Sequence, residues 1–261
     1  MKRAFVCALV LALMALGPIG SAGALTIEDN PSFTVVPVAA DEMIFSAQTE
    51  PEIDGRRIVY EQGALFIGQD ENVGVYDIAT GSRTFIDDGD LDETNPDIAA
   101  DRVAFESSTG NGQIWVNDLR TGSFFRVDSG TDASEKPRIS GSHVVWHNIT
   151  RDVLQYHDFA TGMTSDVPES ADATHWDTDR GMLLFSVDEN DADPEPDADT
   201  LWLWSIGYMG YPVNVYTAPV ESGGYFEISH VRMHGMTAHI EVTGMSARAV
   251  WLDLRSRVRS W

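Results

Sequence analysis

One six-residue pattern occurs three times in this chain of 261 residues. The copies are residues 76–81 (Tyr-Asp-Ile-Ala-Thr-Gly), 117–122 (Asn-Asp-Leu-Arg-Thr-Gly) and 157–162 (His-Asp-Phe-Ala-Thr-Gly). Their aspartates are 41 and then 40 residues apart (118 − 77 and 158 − 118). Repeats of this length are typical of propeller blades, each of which is a four-stranded antiparallel sheet. The pattern therefore predicts an all-β propeller.

The segments around the pattern supply the other strands of each blade. A turn with proline (residues 50–55, 95–98 and 136–141) comes before an apolar strand (57–61, 102–106 and 143–147), and a third strand follows at 73–76, 114–116 and 153–156. Continuous apolar runs are expected of strands buried on both faces, here between neighbouring blades. Two weaker units occupy residues 175–207 and 225–254. We predict five four-stranded blades, with six as the alternative.

The repeated pattern itself is predicted to be a turn between the third and fourth strands. Its aspartate can accept a hydrogen bond from the backbone two residues on, its threonine hydroxyl can do the same, and its glycine can adopt positive φ. The predicted structural turn residues are Asp77, Thr80, Gly81, Asp118, Thr121, Gly122, Asp158, Thr161 and Gly162.

The N-terminus has the features of a secretory signal peptide. Lys2 and Arg3 precede an apolar run at residues 4–16, and small residues surround Ala24. This pattern predicts cleavage near Ala24 and a periplasmic or extracellular protein. The run is too short to span a bilayer, and no later stretch is long enough, so no membrane span is predicted.

Removal of residues 1–24 would leave 237 residues (261 − 24) without cysteine, because Cys7 lies in the signal peptide. We predict an N-terminal segment at 25–49 and a propeller at 50–261. A strand at 43–47 or 33–36 would close the ring of blades, and a partial sixth blade is the alternative.

The charge of the chain limits its partners. The formal net charge is −24, and the signal peptide carries two of the positive charges. Nucleic acid and anionic membranes would repel such a protein. We predict a monomer that binds a protein or a small ligand at one face of the ring.

The repeats resemble those of TolB and of TolB-like propellers of bacterial and archaeal envelopes. The resemblance rests on Pro-x-Ile-x-Gly-x-x-Val-Val-Trp at residues 137–146 and on Tyr-Asp-x-Ala-Thr-Gly at 76–81, with its copies at 117–122 and 157–162. It covers residues 50–165 well and 170–255 loosely. TolB has an additional N-terminal α/β domain for which this chain has no room, so its envelope role is not carried over. The resemblance implies an envelope or secreted propeller that acts by binding.

An acidic segment at residues 188–199 is a candidate calcium site. Seven of its twelve residues are acidic, many at alternate positions, and Ca²⁺ prefers several oxygen ligands in flexible geometry. The candidate ligands are Asp188, Asp191, Asp193, Glu195, Asp197 and Asp199. The alternative is a solvated loop between two strands of the fourth blade. Residues 87–93 form a second acidic cluster with the same two interpretations.

The sequence contains no nucleophile elbow and no phosphate-binding loop. Glu61, Glu106 and Glu241 occupy equivalent positions in their repeats, and paired carboxylates can hydrolyse glycosidic bonds. Shared blade geometry explains these positions equally well. We therefore expect a non-catalytic binding scaffold without a catalytic residue or an assured cofactor. A secreted glycosidase or lyase and a calcium-stabilised adhesion module are the alternatives.

Overall fold

The computed structural model describes residues 48–63, 71–86, 92–108, 111–188, 199–207, 210–218, 220–221, 224–225, 227–243 and 248–255. The predicted signal peptide and both candidate closing strands lie outside these residues. No helix in the described part of the chain is long and apolar enough to cross a membrane.

Five antiparallel sheets follow one another along the chain, and each is called a blade. Blade 1 contains β1 (Gln48–Asp54), β2 (Arg57–Gln62), β3 (Asn72–Asp77) and β4 (Ser82–Ile86). Blade 2 contains β5 (Glu93–Ala99), β6 (Arg102–Ser107), β7 (Gln113–Asp118) and β8 (Ser123–Arg126). Blade 3 contains β9 (Ser134–Ser140), β10 (His143–Asn148), β11 (Val153–Asp158) and β12 (Met163–Asp166).

Blades 4 and 5 are the units that the sequence marks less clearly. Blade 4 contains β13 (Ala173–Asp179), β14 (Met182–Val187), β15 (Thr200–Ser205) and β16 (Val213–Thr217). A small hairpin, β17 (Val220–Glu221) and β18 (Gly224–Tyr225), precedes blade 5, which contains β19 (Glu227–His234), β20 (Thr237–Thr243) and β21 (Arg248–Asp253). The predicted five-bladed propeller fold is confirmed, although blade 5 has three strands among the described residues.

The first strand of each blade lies next to the first strand of the following blade, from β1 through β5, β9 and β13 to β19. These strands therefore surround the axis of the propeller. Apolar clusters fill the interfaces between blades 1 and 2, 2 and 3, 3 and 4, and 4 and 5. Phe105, Trp146 and Phe185 are fully buried in three of them. Burial of such large side chains is the main force that holds the blades together.

The prolines of the first three blades lie inside the first strand, not in a turn before it as the sequence suggested. The residues before them, Glu50, Asn95 and Lys136, have φ of 47°, 51° and 50°, and the pairing register shifts at each of these points. Each proline therefore lies in a β-bulge, where its missing N–H interrupts no ladder.

Candidate functional site

Five charged residues occupy one equivalent position in the five axial strands, two residues before the strand ends. Each pairs with the third residue of its neighbouring strand. We call these residues the axial belt: Glu52, Asp97, Arg138, Asp177 and Arg232. Charged residues meet here because the fold brings the same register position of every blade to the axis.

Asp97 connects blade 2 to blade 3. Its Oδ2 accepts a hydrogen bond of 2.6 Å from the amide nitrogen of Ile139, and its Oδ1 accepts one of 2.8 Å from the amide of Ile98. Only 9% of the residue is exposed. Burial raises the pKa of Asp97 to about 7, and the nearby Arg138 guanidinium opposes this rise. Burial in a poorly polarisable interior disfavours the charged form of a carboxyl group.

Asp177 connects blade 4 to blade 5 in the same way. Its Oδ2 accepts a 2.6 Å hydrogen bond from the amide of Met233, and its Oδ1 accepts one of 2.8 Å from the amide of Thr178. Burial raises its pKa to about 6, against the hydrogen bond from Met233 and the charge of Arg232. The two aspartates therefore act as side-chain links between axial strands.

The contact between the last blade and the first is an ion pair. Arg232 Nη2 lies 2.6 Å from Glu52 Oε1, and Arg232 Nε donates to His230 Nε2 at 3.2 Å. The charges of Glu52 and Asp177 raise the pKa of the Arg232 guanidinium against the effect of its burial. Belt residues thus link blade 2 to blade 3, blade 4 to blade 5 and blade 5 to blade 1.

Two of the three glutamates that the sequence offered as a catalytic set brace the proline bulges. Glu61 Oε2 accepts a hydrogen bond of 3.4 Å from the amide of Asn95. Glu106 Oε2 accepts one of 3.3 Å from the amide of Lys136 and one of 3.0 Å from Asn95 Nδ2. Burial is the main reason that the pKa of both Glu61 and Glu106 is raised. Glu241, in blade 5, is exposed.

The repeated aspartates are the last residues of the third strands, where the turns to the fourth strands begin. Oδ1 of Asp118 accepts hydrogen bonds from the amides of Arg120 and Thr121, at 2.9 and 3.1 Å. Gly122 has φ of 69°. Asp77 and Asp158 make the same pair of contacts. The hydroxyl oxygens of Thr80, Thr121 and Thr161 each accept a hydrogen bond from the amide of the residue that follows the glycine. Gly81 and Gly162 also have positive φ.

Most of the candidate calcium loop lies outside the described residues, including Asp191, Asp193, Glu195 and Asp197. Asp188 follows β14, and Asp199 is buried just before β15. Oδ2 of Asp199 accepts a 2.6 Å hydrogen bond from the amide of Ile228. Within the described ranges no group of three histidine, cysteine or acidic residues is arranged to hold a metal. The calcium site stays a prediction.

Sequence reasoning missed the axial belt, although its signal was present. The Pro-x-Ile motif contains a charged residue between proline and isoleucine in three repeats: Glu52, Asp97 and Arg138. The sign of the charge varies from blade to blade, and blades 4 and 5 lack the proline. Only the strand register shows that Asp177 and Arg232 are equivalent to them.

Comparison with solved structures supports the fold. The chain is similar to the propeller domain of the Trilobed protease from Pyrococcus furiosus, which has an open velcro topology, with a TM-score of 0.57, 11% identity and coverage of 80% of this chain and 82% of that domain. The chain is also similar to TolB from Acinetobacter baumannii, with a TM-score of 0.51 and 14% identity. This match covers 79% of this chain and 57% of TolB. The predicted resemblance to TolB-like propellers is therefore confirmed for the fold.

An acylaminoacyl peptidase from Pyrococcus horikoshii is also similar, with a TM-score of 0.51, 13% identity and coverage of 80% of this chain and 45% of that one. This chain thus spans less than half of the peptidase. No protein-family model and no curated protein matches the sequence. At these identities the similarity concerns the fold alone, because one fold hosts many functions.

Proposed function

We propose that this chain is an exported, non-catalytic propeller that serves as a binding scaffold for a protein or a small ligand. The observation that carries the proposal is that the carboxylates of the axial belt are already bonded to other groups of the protein. Asp97 and Asp177 each use both oxygens as acceptors for backbone amides, and Glu52 is paired with Arg232. A general acid or nucleophile needs an oxygen within hydrogen-bond reach of substrate.

A glycosidase is the second candidate, and one observation favours it. The pKa of Asp97 is raised to about 7, in a belt that also contains Glu52 and Asp177. Glycosidases use a carboxylic acid with a raised pKa beside a second carboxylate. The same pKa follows from burial of a structural carboxyl, so the property alone does not distinguish the two functions.

An activity assay separates these candidates. The purified mature chain is incubated with a panel of polysaccharides and aryl glycosides, and released reducing sugar is measured. We expect the native chain to release no more sugar than the variants Asp97→Asn and Asp101→Asn. Asp101→Asn is the control, because Asp101 lies in an exposed hairpin. Turnover that is lost in Asp97→Asn and retained in Asp101→Asn would show that the chain is an enzyme and would contradict the non-catalytic role.

The export component has its own test. The full chain is expressed with its leader in a Gram-negative host, and the mass of the protein is measured in the periplasm and in the medium. We expect a mass that lacks residues 1–24. A full-length chain retained in the cytoplasm would contradict export. The binding role would then be judged by the other experiments alone.

A further inference from the structure

Asn111 and Gly112 end the connection between β6 and β7 in blade 2. Asn111 is exposed, and it is the only asparagine of the chain that is followed by glycine. Asparagine is among the thermally labile residues, and a following glycine has no Cβ to shield its backbone nitrogen. This dipeptide can therefore react by attack of the Gly112 nitrogen on the Asn111 side chain.

The fold requires glycine at position 112. Its φ is +84°, in the left-handed region that favours glycine. A Cβ built at this position would lie 2.5 Å from the backbone oxygen of Ser134, the first residue of β9 in blade 3. Any other residue at 112 would collide with the backbone of blade 3. Packing between the blades thus retains the glycine that makes Asn111 reactive.

The two reacting groups are not held by the strands around them. The ladder between β6 and β7 begins with the pair of Ser107 and Gln113, so Gly112 lies just outside it. Among the described residues, no hydrogen-bond partner holds the Asn111 side chain or the Gly112 amide. Attack of the Gly112 nitrogen therefore breaks no hydrogen bond of the ladder.

We propose that Asn111 is a site of spontaneous deamidation in the folded protein. The Gly112 nitrogen bonds to Cγ of Asn111 and gives up its proton, the bond from Cγ to the side-chain nitrogen breaks, and ammonia leaves with that proton. A water molecule then opens the resulting succinimide ring at either carbonyl carbon. The products are aspartate and isoaspartate at position 111, and the reaction is redox-neutral.

Both products change the turn that contacts blade 3. Each adds a carboxyl group that is ionised at neutral pH. Isoaspartate also carries the main chain through its former Cβ, which adds a carbon atom to the backbone. Because Gly112 has no free space towards Ser134, the longer backbone cannot keep the present path into β7. The isoaspartyl form should therefore loosen the start of β7 and the start of β9.

The experiment follows the full purified chain during incubation at neutral pH. Peptide mass spectrometry measures, at each asparagine, the mass gain produced when NH2 is replaced by OH. The internal control is Asn214, which is exposed in β16 but is followed by the β-branched Val215. We expect the gain at Asn111 to be at least about tenfold faster than at Asn214, because a branched side chain shields the attacking nitrogen.

A matched variant tests the structural consequence. Asn111→Ser keeps Gly112 and removes the reactive amide. Hydrogen exchange is measured on fresh and aged samples of the native chain and of Asn111→Ser. We expect faster exchange in aged native chain than in fresh native chain, in the peptides that contain β7 and the start of β9. Fresh and aged Asn111→Ser should exchange equally.

Three results would overturn the inference. The first is a folded chain without mass gain at Asn111 under conditions in which the urea-unfolded chain gains it, because the fold would then protect the site. The second is an equal rate at Asn111 and Asn214. The third, unchanged hydrogen exchange in deamidated chain, would overturn the loosening of the two strands. The sugar-release and export experiments do not involve Asn111, so the proposed function is judged separately.

Discussion

Asp97 of blade 2 accepts a 2.6 Å hydrogen bond through Oδ2 from the amide nitrogen of Ile139 in blade 3. Asp177 repeats this relationship with Met233 between blades 4 and 5. In both cases a buried carboxyl group of one axial strand fixes the backbone of the next. The stability of the propeller should therefore depend on the protonation of these two groups.

Asp97 should make the protein less stable as pH rises. Its pKa is about 7 in the folded protein, against an ordinary value of 3.8, so between these values the folded state binds more protons than the unfolded state. The contribution is fully present below the unfolded pKa and is lost as pH rises through the folded pKa. Urea unfolding at about pH 5 and about pH 8 should show a smaller loss for Asp97→Asn than for the native chain.

The comparison of variants is needed because several histidines act in the opposite direction. Burial lowers the pKa of His143, His157, His175 and His230. Their contribution to stability is therefore present above the unfolded pKa and is lost as pH falls through the folded pKa. These residues are unchanged in Asp97→Asn, and the difference between the two proteins isolates Asp97. Identical pH dependence of both proteins would contradict the prediction.

Removal of Arg232 should weaken the contact between blades 5 and 1. Arg232→Met leaves Glu52 without its partner in the belt, and removal of one partner of a partly buried ion pair costs about 2 kcal/mol of unfolding free energy, between the values for surface and fully buried pairs. The control is Arg151→Met, which removes a surface ion pair with Asp166 and should have a much smaller effect. Equal effects of the two substitutions would show that the axial pair has no special role.

Gly122→Ala tests the turn that defines the repeat. Gly122 has φ of +69°, and an added Cβ would meet no atom within 4 Å, so only backbone strain opposes the substitution. The expected loss is about 1–2 kcal/mol. Gly141 also has open space around it and has no left-handed φ, so Gly141→Ala should be neutral or slightly stabilising. Equal unfolding free energies for the two variants would argue against the turn geometry.

The fold could be predicted from the sequence because the turn that defines each blade is encoded by residues close together in the chain. An aspartate, a threonine and a glycine at fixed spacing specify a turn such as that of Asp118, and its recurrence sets the blade length. The axial belt and the contact between blades 5 and 1 depend on long-range register. Arg232 meets Glu52 across 180 positions of the chain (232 − 52), and no short pattern encodes that contact.

Calcium binding by residues 188–199 is a prediction of the sequence that a melting experiment tests. Ca²⁺ that binds the folded state alone raises the melting temperature by mass action. We expect a rise with Ca²⁺, its reversal by chelator, and its loss in the double variant Asp193→Asn, Asp197→Asn. The double variant Asp101→Asn, Glu169→Gln, at two exposed positions outside this segment, serves as the charge-matched control. A melting temperature that chelator leaves unchanged would remove the calcium site and the adhesion alternative with it.

The most direct test of the account is the unfolding free energy of Asp177→Ala in urea. If Asp177 is a structural link, its removal leaves the amide of Met233 buried without this acceptor. We then expect a cooperative transition with a loss of about 2 kcal/mol. Residues held for catalysis often stabilise a protein when they are replaced. An Asp177→Ala chain as stable as the native one, or more stable, would contradict the structural role of the belt.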